Sequence, residues 1–107
     1  MSRIFQLVID LVARGEVKIS DHGYEELAAD GILVREIIAG IKGAFEIENY
    51  NDYPKGPCIL VLQKDRQGQP IHVVWGIPKN ATSPAVVVTA YRPNTDRWTD
   101  DFTRRRP

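Results

Sequence analysis

The chain predicts an α+β domain in which N-terminal helices pack on one face of a four- to five-stranded, mainly antiparallel sheet. Three observations carry that expectation. Apolar residues before Gly43 recur at helical spacing, and after Gly43 the period drops to two. The strand-like runs that follow are separated by short turns containing Gly or Pro, which suits a meander with helices covering one side. At 107 residues, 43% of them hydrophobic, the chain has the size of one compact domain able to bury a single core, so residues 1–107 read as one unit.

Ile4, Leu7, Val8, Leu11 and Val12 form one helical face, and Gly15 stands where a helix C-terminal glycine ends such a run. Val17, Lys18 and Ile19 are too few to classify and suit either a short strand or an extended link. Ser20 offers an N-cap hydroxyl to a second helix, with Asp21 in its first turn, Tyr24, Leu27 and Ala28 as an inward stripe, and Gly31 closing it. Val34, Ile37, Ile38 and Ile41 repeat the helical pattern up to Gly43, at the cost of Gly40 inside. A first strand, 45–50, places Phe45, Ile47 and Asn49 on one face and Glu46, Glu48 and Tyr50 on the other. Residues 51–57 form a loop. Runs 59–62 and 71–75 flank a hairpin turn at 65–69, and Pro70 can only begin its strand. After a turn at 79–84, the β-branched run 85–91 reads as a central strand ended by Pro93. Residues 94–107 add a short strand or helix around Trp98 and Phe102.

Composition removes several functional classes. Cys58 is the one cysteine, which excludes an intramolecular disulfide and a cysteine-rich zinc site and suits a reducing compartment. Neither a signal-peptide core nor a membrane-length apolar window is present, so a soluble cytoplasmic protein with no membrane association is expected. Fourteen basic residues balance fourteen acidic ones, which argues against a nucleic-acid-binding surface spread over the whole molecule. Acids outnumber bases up to Asp52, so the remainder is net basic and a local basic face is expected there.

Two histidines can exchange protons near neutrality. His22 lies at the mouth of a helix, where the dipole disfavours added positive charge and suits a general base; the alternative is a ring packed on the sheet. His72 shares a strand face with Val74 and Gly76, where the missing side chain would leave a shallow site, or it is a half-buried anchor to a neighbouring strand. Tyr91, on the face of Thr89 and Val87, either packs or relays a proton. Arg92, Arg104 and Arg105, with Lys64 and Arg66 at the hairpin, are candidate phosphate contacts, arginine for its forked donors and lysine as a point charge. The histidines and carboxylates match no metal-ligand spacing, Cys58 precedes an apolar strand as a buried cysteine would, and no phosphate-cradling glycine loop occurs, so no metal and no cofactor are expected.

Ser20-x-His22, Gly31-Ile32, Tyr50-x-Asp52-Tyr53-Pro54, Pro70-x-His72-Val73-Val74, Thr89-x-Tyr91-x-Pro93, Trp98 and Phe102-x-Arg104-Arg105 together resemble a small prokaryotic family of uncharacterised domains that looks like a branch of the RelE-type toxin fold. The resemblance runs from about Val17 to Arg105. It implies a RelE-like sheet and a metal-independent endoribonuclease, an mRNA interferase that assists attack of the RNA 2′-hydroxyl on its own phosphate, often on the ribosome, and is held by a small antitoxin protein. The roles it implies are His22 or His72 as base, Arg92 and Arg104 as charge stabilisers, and Tyr91 or the other histidine as acid. Toxins of this type are commonly strongly basic, whereas this chain is neutral. That balance suits a second expectation, a non-catalytic interaction module of the same fold. A free sheet edge would serve an antitoxin strand or a homodimer.

Overall fold

A computed structural model describes residues 2–107. Ser2 caps α1 (Arg3–Ala13) by accepting from the Phe5 amide at 3.1 Å, and Phe5, Val8 and Leu11 form its buried stripe. Gly15, at φ +76°, turns the chain into β1 (Val17–Ile19), so the short run is a strand. The Ser20 hydroxyl accepts from the Gly23 amide at 2.9 Å, capping α2 (Asp21–Ala29), and donates to the Val88 carbonyl at 2.9 Å. That second bond fixes the start of α2 on the sheet. A Cβ on Gly23 would lie 2.8 Å from the Val87 carbonyl oxygen, so the close approach requires glycine. Leu27 faces the core, whereas Tyr24 is 56% exposed and Ala28 is exposed, which corrects the expected three-residue stripe. With Gly23 pressed on the strand, Tyr24 is turned outward. The third helix is shorter than its apolar pattern: α3 (Val34–Gly40) gives way to a 3-10 turn (Ile41–Gly43).

Four strands follow: β2 (Phe45–Tyr50), β3 (Cys58–Lys64), β4 (Pro70–Gly76) and β5 (Ala85–Tyr91). The sheet order is β1-β5-β4-β3-β2, with β5 interior and β4 at the centre. The meander β2 to β5 is antiparallel, but β1 joins β5 in parallel, Val17 opposite Ala85 and Ile19 opposite Val87. The sheet is therefore mixed rather than mainly antiparallel. A three-residue strand between two helices carries too little pattern to announce its direction. Its place is decided by α2, which folds back across β5. No regular helix or strand forms in 94–107, only an isolated bridge between Trp98 and Arg105.

One face of the sheet forms the core: Ile59 and Val61, Ile71, Val73 and Trp75, and Ala85, Val87 and Ala90 pack against Phe5, Val8, Leu11, Leu27, Ile37 and Ile41. Gln63, 1% exposed, is also on this face, accepting from the Trp75 indole at 2.9 Å and donating to the Ile37 carbonyl at 2.9 Å. Two register shifts break the period of two. One falls between Glu46 and Glu48, bringing Glu48 opposite Leu60 and Tyr50 opposite Cys58. The other pairs Trp75 with Val87 but Val74 with Thr89, so Val87 enters the core while Thr89 and Tyr91 stay on the opposite face. That face carries Phe45, Glu48 and Tyr50, then Cys58, Leu60 and Leu62, then His72, Val74 and Gly76.

The loop before β3 is pinned by backbone bonds from Ile77 to Pro57 and from Lys79 to Lys55, each 3.0 Å. Gly56 sits between them at φ +127°, and a Cβ there would run into the Ile77 carbonyl oxygen and lie 2.7 Å from the Lys79 amide nitrogen. Gly56→Ala is expected to destabilise the domain by about 3 kcal/mol or more, since both neighbours are backbone and cannot rotate away. Chemical denaturation measures it.

Candidate functional site

The second face of the sheet is crossed by residues 94–107, and a cluster of polar groups lies beneath that crossing. His72 is fully buried. Its Nε2 lies 2.8 Å from the Phe102 carbonyl oxygen, which can only accept, so Nε2 carries the proton and Nδ1 is left to accept from the Tyr91 hydroxyl at 3.1 Å. Tyr91 and Trp98 stand edge-on to the imidazole with ring centroids at 5.3 and 4.4 Å. The Arg105 guanidinium lies 4.7 Å from the Trp98 ring centroid, held by two 3.0 Å bonds to Glu48. The turn of the crossing segment is organised by Asp101, which accepts from the Thr99 and Thr103 hydroxyls and is held by them at a pKa of about 2.

Tyr91, Arg92, Pro93, Asn94, Arg97, Trp98 and Arg105 line a cavity of about 340 Å³. Three arginines border it and no acidic residue does. Arg92 is braced by Asp65 at 2.8 Å, a carboxylate 4% exposed that also accepts from the hairpin amides of Gln67 and Gln69. Arg105 is braced by Glu48 and Arg97 by no carboxylate among the described residues. A guanidinium has five donors, so one ion pair fixes its position without consuming them all. Glu48 is held below the usual carboxylate range, first by Arg105, and Asp65 likewise by the Gln69 amide and Arg92. Burial pushes the Tyr91 phenol up.

Of the residues nominated from sequence, the fold gathers His72, Tyr91, Arg92 and Arg105 here. The other four lie elsewhere. His22 is exposed on α2, 3.6 Å from Glu26, and lines a different cavity with Gly76, which is four residues along β4 from His72. At the strand rise that is about 13 Å, so the two imidazoles do not share a site. The shallow space left by Gly76 belongs to His22 and not to His72. Arg104 is exposed and outside the cavity lining, engaged through its amide with Thr99. Lys64 and Arg66 are exposed at the hairpin, where the Arg66 amide bonds Glu36 on α3. Alternation along the strands found His72 and Tyr91. Arg97 and the ring of Trp98 were missed as site groups because they lie in a segment without periodicity. Among the described residues no group of three His, Cys, Asp or Glu side chains gathers as around a metal ion, and no helix is long and apolar enough to cross a membrane.

A family model described as a domain of unknown function, DUF4258, matches residues 19–92. The chain belongs to the DUF4258 family. The match runs from the end of β1 through Arg92, so Tyr91 and Arg92 fall inside the DUF4258 span, while Arg97, Trp98 and Arg105 are added from beyond it. Nothing in the match links the domain to the RelE-type toxins. No curated protein and no solved structure matches the chain.

Burial lowers the His72 pKa, opposed by its bond to the Phe102 carbonyl. The unfolded chain therefore protonates this ring at higher pH than the folded one, and stability rises with pH wherever the unfolded state binds more protons. The contribution of neutral His72 is fully present above about pH 6.5 and is lost as pH falls from there towards the folded value. Thermal melts of the DUF4258 domain should show a lower Tm at pH 5.0 than at pH 7.5, and His72→Gln should reduce that difference.

Proposed function

We propose that this DUF4258 domain binds single-stranded RNA in the arginine-lined cavity and cleaves it without a metal, as a toxin of the RelE type held by a small antitoxin. The observation that carries the reading is the convergence of Arg92, Arg97 and Arg105 on one cavity with the Tyr91 phenol, itself bonded to the free nitrogen of His72. A phosphodiester placed there meets fixed donors that favour charge developing on its oxygens. The Tyr91 oxygen takes the proton of the RNA 2′-hydroxyl as its own proton passes to His72 Nδ1. The 2′-oxygen then bonds to phosphorus, the bond to the 5′-oxygen breaks, and the dyad returns the proton to that departing oxygen. Tyr91 touches the reacting atoms, and His72 acts through it. Retained roles for His22 and Arg104 have no place in this arrangement, since neither lines the cavity.

An antitoxin would cover the cationic cavity or pair with the outer edge of β1 or β2, the two ends of the sheet; a second copy of the chain could use the same edges. Purified protein incubated with single-stranded RNA in a chelator should yield fragments ending in 2′,3′-cyclic phosphate, and expression should arrest growth. The second reading, a non-catalytic interaction module, is favoured by the complete burial of His72 and by the carboxylates that partner Arg92 and Arg105. RNA left intact at high protein concentration, with no growth arrest, would decide for it.

A further inference from the structure

The cavity at the other end of the same sheet face has no role in the chemistry above. Its volume is about 430 Å³, within the range of small-ligand pockets. Val86, Val88, Ile77 and Gly76 give it an apolar lining, and the exposed His22, Tyr53 and Lys55 stand on its rim. No acidic residue lines it. The loop bearing Tyr53 and Lys55 is held in place by the backbone bonds around Gly56, so the rim is set by the fold rather than by mobile side chains alone.

We infer that this cavity takes one nucleobase of a single RNA strand, stacked against Tyr53 and His22 over the apolar lining, with its phosphate on Lys55. An apolar lining beneath aromatic rings suits any base, since every base has a stacking face, and the single cation suits one phosphate. Scarcity of free donors and acceptors in the lining predicts little discrimination among bases. The hydroxyl of Ser20, which is part of the lining, is already committed to Gly23 and Val88. Val86 in this cavity and Tyr91 in the arginine cavity are five residues apart on β5, about 16 Å along the strand. Half-buried Val74 and Thr89, beside the buried Leu60, lie on the face between the two ends. A strand of a few nucleotides lying along this face would place a base at one end and a phosphodiester at the other. The inference rests on the RNA reading above and assigns it a second subsite.

Amide NMR of the full chain tests it with two probes: AMP, and a single-stranded tetranucleotide carrying 2′-O-methyl groups, which lacks the attacking hydroxyl. Both are expected to shift Gly56, Gly76 and Val88. The tetranucleotide should also shift Arg92 and Arg97 and bind at least about tenfold more tightly than AMP, the worth of one further stack or contact. Tyr53→Ala and Lys55→Glu, both at exposed positions that leave the core intact, should each weaken AMP binding and spare the shifts that the tetranucleotide causes at Arg97. Absence of shifts at Gly56, Gly76 and Val88 with either probe overturns the inference even if RNA is cleaved. Equal affinity for the two probes also overturns it, by assigning the cavity to free nucleotides. Shifts at both ends with no cleavage of ordinary RNA support the subsite and sink only the proposed reaction.

Discussion

Trp75→Ala is expected to cost about 4–6 kcal/mol and leave the domain largely unfolded at 37 °C. Trp75 is fully buried on the central strand, opposite Val87 and Ile59, so its loss opens a cavity in the middle of the core. The indole also donates to Gln63, whose amide in turn donates to the Ile37 carbonyl. Removing it strips a buried oxygen of its partner and loosens the side chain that ties α3 to the sheet. Truncation alone accounts for about 3–5 kcal/mol, and the orphaned Gln63 oxygen for at least about 1 more. Trp75→Phe keeps most of the volume and removes the bond, and should cost about 1–3 kcal/mol. Urea denaturation of the two variants separates packing from the hydrogen bond. Equal losses would show that the bond to Gln63 outweighs the packing of the ring.

Tyr91→Phe is expected to lower RNA cleavage by about 10²- to 10⁴-fold, the usual contribution of a positioned proton-transfer group. The substitution keeps the ring and removes the oxygen that joins the cavity to His72. It leaves His72 Nδ1 without that partner, so stability should fall by only about 1–2 kcal/mol. The arginines stay in place, so RNA affinity should hold while kcat falls. Cleavage by the variant at the wild-type rate would remove Tyr91 from the chemistry. A matching loss of affinity and rate would make it a binding group instead.

Sequence periodicity located all three helices and the four meander strands because each buries one stripe or one face, and burial writes its spacing into the chain. It misassigned faces where a single residue breaks the alternation. Ile47 and Val88 sit at the register shifts, and no residue type there announces them. The inward-facing Gln63 was silent for a different reason. A glutamine in a strand looks solvent-facing until Trp75 and Ile37 are seen on either side of its amide. His22 and His72 were equally conspicuous as letters, yet one is exposed and the other sealed.

The amino-acid sequence by itself determined the α+β class, the helix cap at Ser20, the hairpin about Gly68 and the apolar stripe of the first helix, because these follow from contacts and backbone preferences a few residues apart. Only the tertiary structure decided that β1 lies parallel to β5, that Arg97 and Arg105 are folded back to Tyr91, and that His22 on α2 and His72 on β4 stand at opposite ends of one sheet face. Those outcomes depend on pairings between groups distant in the chain. Which partner a charged or aromatic side chain meets is set by the path of the backbone between them, and no local pattern records it.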